Sequence, residues 1–212
     1  MEKVFLAGLH LKGSAHKLRD ANASLDELAR LVDTAGGTVA GRTLQQADSP
    51  NPSTFIGKGK VEELRKMALA KQFSTLVFDD ELKPAQQRNL AEIIPVKVLD
   101  RTRVILDIFA KRAHTREGIL QVELAQLAYL LPRITERYGT FEQQVGGIGT
   151  RGPGERKLEM EARHIRDRMA LLRRQTETVR QHREIARERR HRVPLPIITI
   201  VGYTNAGKST LL

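Results

Sequence analysis

Two long heptad repeats in the second half of the chain constrain its fold more than any other feature. The first repeat lies between Glu117 and Tyr138, and its apolar positions are Leu120, Leu124, Leu127, Leu131, Ile134 and Tyr138. The second, which Arg183 interrupts, comprises Leu158, Ala162, Ile165, Met169, Leu172, Thr176, Val179 and Ala186. Alternating spacings of three and four are typical of coiled-coil helices. We therefore predict an antiparallel helical hairpin over residues 115–192.

The connection between the repeats, residues 139–154, contains six glycines: Gly139, Gly146, Gly147, Gly149, Gly152 and Gly154. A turn between antiparallel helices needs only two to five residues, so this connection is longer than the turn requires. We interpret it as an RNA-probing loop at the hairpin tip, with a flexible linker that has no partner as the alternative. The candidate RNA-binding residues are Gly146, Gly147, Gly149, Arg151, Gly152, Gly154, Arg156 and Lys157.

The net charge of +11 is concentrated in the region of the heptad repeats. Residues 101–192 hold 21 Lys+Arg against 12 Asp+Glu, whereas residues 1–100 hold 14 against 13. A localised, arginine-rich excess indicates a polyanionic partner, and nucleic acid is the leading candidate. The alternative is a solvated helix face with many intrahelical ion pairs.

The first 100 residues alternate β-rich runs with helical segments, which predicts an α/β domain with a mostly parallel sheet over residues 1–114. The predicted strands are residues 4–10, 38–44, 75–78 and 96–99. The predicted helices are residues 24–35, opened by a capping box of Ser24 and Glu27, then 60–71 and 84–94. Between them, the glycine turn at Lys58 and Lys60 could hold a phosphate, but we favour a plain connection because no complete phosphate-binding pattern is present.

Composition excludes several classes of function. The chain has no cysteine, which rules out disulfides, thiolate nucleophiles and Cys-based zinc sites. No run approaches the roughly 18 apolar residues that a membrane span needs, and the opening residues are too short an apolar run for a signal peptide. The six histidines are not spaced as metal ligands. We expect a cytoplasmic protein, and a monomer.

The last residues carry a phosphate-binding loop. A β-branched run, residues 196–201, leads directly into Gly202, Tyr203, Thr204, Asn205, Ala206, Gly207, Lys208 and Ser209, followed by Thr210. This is GxxxxGKS after a strand, in which the loop N–H groups surround the β-phosphate. Lys208 is predicted to reach the β- and γ-phosphates, and the Ser209 hydroxyl to bind Mg²⁺. The alternative is a chance glycine-rich turn.

The phosphate-binding loop predicts that residues 193–212 begin a nucleotide-hydrolysing domain. The sequence stops at Leu212, so we expect only the first strand and the loop of that domain here, and no hydrolysis by these residues alone. No base-reading motif is present. An adenine-specific ATPase is therefore an alternative to a GTPase, and a non-catalytic RNA- or ribosome-binding module is a second alternative.

The chain resembles the HflX family of GTPases over essentially its whole length. The matching segments are residues 55–60, 84–90, 100–109, 120–127, 146–155 and 202–210. The resemblance implies GTP hydrolysis, binding to the large ribosomal subunit and its ribosomal RNA, and separation of stalled or inactive ribosomes into subunits. It also implies that the glycine-rich tip inserts among ribosomal RNA, that a second nucleotide binds near Lys58 and Lys60, and that Asn205 holds a potassium ion.

Overall fold

The computed structural model describes residues 2–13, 18–144, 153–191 and 201. These residues form four strands and six helices. The strands are β1 (Glu2–Leu11), β2 (Gly37–Ala47), β3 (Thr75–Phe78) and β4 (Lys97–Asp100). The helices are α1 (Leu18–Ala35), α2 (Lys58–Leu69), α3 (Pro84–Ile93), α4 (Arg101–Arg112), α5 (Arg116–Gln144) and α6 (Pro153–His191).

The four strands form one parallel sheet in the order β2-β1-β3-β4. Val4 lies opposite Val39 on one side and Thr75 on the other, and the pairing of β1 with β2 shifts register after Val4. A helix follows each of the first three strands, which is how parallel strands are connected. The predicted fold class is confirmed: an α/β domain with a parallel sheet and flanking helices, followed by a helical hairpin.

The sheet is covered on both faces because successive side chains of a strand point in opposite directions. Phe5 and Ala7 belong to a core formed with α2 and α3, in which Leu64 and Leu90 are fully buried. On the other face, a second core contains β1, β3, α1 and α4 residues: Val4, Leu6, Leu25, Leu28, Val32, Val77 and Val104. This double coverage explains why the central strands are nearly continuous apolar runs.

Helices α5 and α6 pack against each other along the two heptad repeats. Ile134, Ala162, Ile165 and Met169 form a separate buried cluster with Leu124, Leu127, Leu131 and Leu158 against it. The direction is antiparallel, because Arg168 pairs with Glu123 at 2.7 Å while Arg183, further along α6, pairs with Glu117, which lies earlier on α5. The hairpin predicted from the heptads is therefore confirmed.

Three details differ from the sequence-based expectations. Helix α1 begins at Leu18, so Ser24 lies inside it and forms no capping box. Helix α4 was not anticipated. Residues 139–144 and 153–154 of the predicted loop are helical instead, because α5 extends to Gln144 and α6 begins at Pro153. Heptads mark only the part of each helix that contacts the other helix, so the heptads underestimate the length of both helices. Pro132 lies inside α5, which is a single helix.

Candidate functional site

The carboxyl-terminal edge of the sheet collects the ionic side chains of the α/β domain. The strand order reverses between β1 and β3, and parallel α/β sheets hold their ligands outside the carboxyl ends of strands at such a point. Asp79 and Asp80 directly follow β3, and Arg101 directly follows β4. Because β3 and β4 are neighbours in the sheet, their carboxyl ends bring these three residues together.

Arg101 is the centre of one network at this edge. Its guanidinium donates to Asp79 Oδ1 at 3.0 and 2.5 Å, to Glu27 Oε2 at 3.1 Å, and to the backbone oxygen and hydroxyl of Ser24 at 2.9 and 2.8 Å. Burial by itself lowers the pKa of Arg101, but the hydrogen bonds to Asp79 and Glu27 and the negative charges of these two carboxylates together raise this pKa above its ordinary value. Through these hydrogen bonds Arg101 connects α1 with the carboxyl ends of β3 and β4.

Asp80 stands beside this network without sharing its ion pairs. The side chain is accessible at the surface, yet packing of protein atoms around the carboxyl group raises its pKa, and the negative charge of Asp79 raises it further. Arg101 acts in the opposite direction and lowers it. This edge of the sheet therefore holds two different carboxyl groups: Asp79 is paired with Arg101, and Asp80 is less easily ionised.

Asp100 is the centre of a second network and is fully buried. It is the N-cap of α4, where its Oδ1 accepts from the Arg103 N–H at 2.9 Å, and its Oδ2 accepts from the Leu82 N–H at 3.3 Å. Two side chains of α5 also donate to Asp100: the Tyr129 hydroxyl to Oδ1 at 2.9 Å and the Arg133 guanidinium to Oδ2 at 3.0 Å. A buried carboxylate is stable only with such donors, and here they come from three separate segments of the chain.

Arg133 and Tyr129 extend this network across the junction between the α/β domain and the hairpin. Arg133 also donates to Gln87 Oε1 on α3 at 2.7 Å and to the Leu82 carbonyl at 3.1 Å, and its guanidinium lies 3.3 Å from the centre of the Tyr129 ring. Burial and the Asp100 carboxylate raise the pKa of Tyr129, so its hydroxyl remains a donor well above neutral pH. The junction is therefore made of charged hydrogen bonds.

The glycine turn before α2 has its own internal partners. Gly57, the N-cap of α2, donates its N–H to Gln45 Oε1 at 3.0 Å, and Lys60 pairs with Glu63 at 2.6 Å. Lys58 begins the helix. These contacts agree with the interpretation of the turn as a connection, because one of its two lysines is already paired with a carboxylate of its own helix.

The predicted binding residues fall mostly outside the described residues. The whole phosphate-binding loop, residues 202–210, lies there, as do Gly146, Gly147, Gly149, Arg151 and Gly152 of the hairpin tip. Gly154 and Arg156 belong to the first turn of α6, and Lys157 is exposed in the same helix. Val201, just before the loop, is exposed and belongs to no strand, while residues 196–200 of that predicted strand also lie outside.

Sequence reasoning did not find the two networks, although a local signal for one exists. Asp100 followed by Arg101 and Thr102 after a β-rich run is a typical start of a helix with an aspartate N-cap. No local pattern connects Asp100 with Tyr129 or Arg133, which lie about thirty residues later. Within the described ranges, no group of three or more His, Asp or Glu residues is arranged to hold a metal ion, and no helix is long and apolar enough to cross a membrane.

Comparison with known proteins assigns the family. Residues 22–110 match the family description "GTP-binding GTPase N-terminal" and residues 112–190 match "GTP-binding GTPase Middle Region". The chain is similar to the GTPase HflX of Lacrimispora saccharolytica, with 51% identity over 91% of the chain and 46% of that protein. It is 44% identical to GTPase HflX of Escherichia coli K12 over 88% of the chain and 44% of that protein.

Comparison with solved structures finds a similar fold over the whole chain. The crystal structure of SsGBP in complex with GDP is similar to all of the chain over 54% of its own length, with a TM-score of 0.65 and 27% sequence identity. The chain spans about half the length of the curated relatives it matches. Its α/β domain and hairpin correspond to the two matched regions in sequence order. This chain belongs to the HflX family of GTPases.

Proposed function

We propose that the protein is a GTPase that binds GTP and GDP through Gly202–Thr210 and uses nucleotide state to control binding to the ribosome. The observation that carries the proposal is the GxxxxGKS loop in a chain of this family. Its N–H groups and Lys208 are suited to the phosphates, and the Ser209 hydroxyl is the kind of oxygen ligand that Mg²⁺ prefers. Asn205 supplies an oxygen ligand for K⁺ in the same loop.

Hydrolysis of GTP needs no covalent intermediate with the protein. The loop holds the β- and γ-phosphates in place, and charge stabilisation around the γ-phosphate supports attack by a positioned water molecule. Mg²⁺ supplies charge neutralisation between the two phosphates when it is bound. Lys208 contributes a positive charge beside the β- and γ-phosphates, so its removal should weaken both nucleotide binding and turnover.

The partner proposed is the large ribosomal subunit, with separation of stalled or inactive ribosomes as the outcome. Support comes from the basic excess of residues 101–192 and from the extended form of α5 and α6, of 29 and 39 residues. At about 1.5 Å per residue, α6 is about 58 Å long, enough to reach into a large RNA assembly. The tip residues Gly146, Gly147, Gly149, Arg151, Gly152, Gly154, Arg156 and Lys157 are proposed to contact ribosomal RNA.

A nucleotide-binding measurement on the protein with its complete nucleotide domain tests this proposal. We expect GTP and GDP to bind in the presence of Mg²⁺, ATP to bind much more weakly, and Lys208→Ala to abolish binding while the thermal unfolding of the α/β domain and hairpin stays unchanged. Equal binding of ATP and GTP would favour an adenine-tolerant ATPase instead. Equal turnover in Na⁺ and K⁺ would refute the role of Asn205 as a potassium ligand.

Ribosome binding needs a separate assay. Cosedimentation with purified large subunits should increase with a non-hydrolysable GTP analogue, and intact ribosomes incubated with GTP should yield free subunits. Binding without any turnover would instead favour a non-catalytic ribosome-binding module.

A further inference from the structure

One side of α6 carries a regular row of arginines. Arg166, Arg173 and Arg180 follow one another at intervals of seven residues, and each comes directly after a residue of the heptad repeat, Ile165, Leu172 or Val179. All three are exposed. In a coiled coil, seven residues return a side chain to the same side of the helix, so the three form a line of about 21 Å along the hairpin. We call this line the arginine row.

The arginine row is not neutralised by the facing helix. The positions of α5 that directly follow its own repeat residues on this side are Gln121, Ala128 and Thr135, and none is acidic. The other side of the hairpin is different, because there Glu123 of α5 accepts two hydrogen bonds from Arg168, at 2.7 and 2.9 Å. The two sides of the hairpin therefore differ in net charge.

The row is also only partly neutralised within α6. Arg180 pairs with Glu184 at 3.4 Å, an exposed pair that contributes little to stability. Arg166 and Arg173 have no carboxylate within 4.0 Å among the residues that the structure describes. The residues one turn from Arg166 are Ala162, Arg163, Met169 and Ala170, none of them acidic. Glu177 lies one turn from both Arg173 and Arg180, but it forms no ion pair with Arg173 within 4.0 Å. These guanidiniums are available to an external anion.

We infer that the arginine row binds the phosphate backbone of an RNA strand and sets which side of the hairpin faces ribosomal RNA. This inference rests on the proposed ribosomal function and adds the binding surface to it. With the spacing of a B-DNA strand as a scale, one phosphate per roughly 3.4 Å of axis, a 21 Å row accompanies on the order of six phosphates. Guanidinium groups bind phosphate oxygens through two parallel hydrogen bonds, which suits Arg better than Lys at these positions.

The chemistry of the row favours RNA over a lipid surface. A helix that lies on a bilayer needs apolar side chains close to its basic ones. Among the described residues, the exposed large apolar residues of α6 are Met160, Leu171 and Ile185. Leu171 is two residues before Arg173, which places it about 160° away around the helix. Leu171 and Ile185 are fourteen residues apart and lie on the same side of α6. Met160 lies about 120° around the helix from Arg166, so none of the three is beside the arginine row.

The test compares two charge-matched variants of the full chain. Arg166→Gln/Arg173→Gln removes two charges from the arginine row, and Gln keeps both the helix propensity and much of the stem. Arg116→Gln/Arg168→Gln removes two charges from the opposite side, since Arg116 lies seven residues before Glu123. Affinity for purified large ribosomal subunits and for poly(U) is measured from about 50 to 300 mM KCl, with circular dichroism to verify folding.

For the arginine-row variant we expect weaker binding and a slope of log K against log[salt] reduced by about 1.4 to 1.8, or 0.7 to 0.9 per lost phosphate contact. The opposite-side variant should keep the wild-type slope. Equal losses in both variants, or tighter binding to phosphatidylserine vesicles than to poly(U), would overturn the inference while ribosome binding itself stands. Side-specific binding to poly(U) without any binding to large subunits would retain the contact between the arginine row and an RNA backbone but reject the ribosomal function and the orientation on ribosomal RNA. Binding to neither would reject both.

Discussion

Arg133 of α5 and Asp100, the N-cap of α4, form a buried ion pair at 3.0 Å across the junction between the α/β domain and the hairpin. The Asp100 side chain is completely buried and that of Arg133 is 13% exposed. Arg133 lies in the second half of α5, the first helix of the hairpin. The pair therefore attaches α5 to the N-cap of α4, and the Arg133 hydrogen bond to Gln87 attaches it to α3 as well.

Breaking this pair should destabilise the protein strongly. Arg133→Gln leaves a buried carboxylate without its counter-ion, for which a typical cost is about 3 to 5 kcal/mol. Asp100 keeps the Arg103 N–H, the Leu82 N–H and the Tyr129 hydroxyl, so we expect a loss of about 3 kcal/mol in the free energy of unfolding, measured by urea denaturation. The control Arg163→Gln removes an exposed pair with Glu159 and should change stability by less than about 1 kcal/mol.

Tyr129 should contribute a stability term that depends on alkaline pH. Its pKa is raised in the folded state by burial and by Asp100, so the folded protein holds the phenolic proton more tightly than the unfolded chain does. The contribution is complete below about pH 10, the ordinary tyrosine value, and is lost as the pH rises through the higher folded-state pKa. Urea unfolding from pH 8 to 11 should show this loss in the wild type and not in Tyr129→Phe. Parallel pH curves for the two proteins would contradict the assignment.

The two leucines at positions 171 and 172 provide a matched test of the hairpin core. Leu172 is completely buried in the heptad contact, whereas its neighbour Leu171 is 45% exposed. Leu172→Ala should cost about 2 to 5 kcal/mol through lost burial and a residual cavity. Leu171→Ala should change stability by about 0.5 kcal/mol or less. Thermal unfolding followed by circular dichroism distinguishes them, and equal effects would mean that the heptad contact is not the stabilising one.

Two glycines differ in the space available for a side chain. A Cβ at Gly41 would lie 2.6 Å from Cε2 of Phe5, a buried ring whose centre is 5.0 Å from that of Phe73. Gly41→Ala is therefore expected to cost about 1 to 3 kcal/mol through overpacking. Gly59 lies in α2 with open space around it, so Gly59→Ala should stabilise by up to about 1 kcal/mol. Stabilisation by both substitutions would show that β2 can move away from Phe5.

The sequence by itself determined the elements whose signals are periodic. Heptads specified both hairpin helices and the faces they bury, and short β-branched runs specified all four strands to within a few residues, because these patterns are set by which side of a helix or strand meets the core. The phosphate-binding loop was likewise recognised from spacing alone, and its role stays a prediction.

Only the tertiary structure decided how these elements are joined. The strand order β2-β1-β3-β4 brings Asp79 and Arg101 together, and the docking of α5 brings Tyr129 and Arg133 to Asp100. Neither result has a periodic signature, since each contact joins residues 22 to 33 positions apart. Such contacts depend on the packing of whole elements. A buried carboxylate must then recruit its donors from whichever segments that packing brings near.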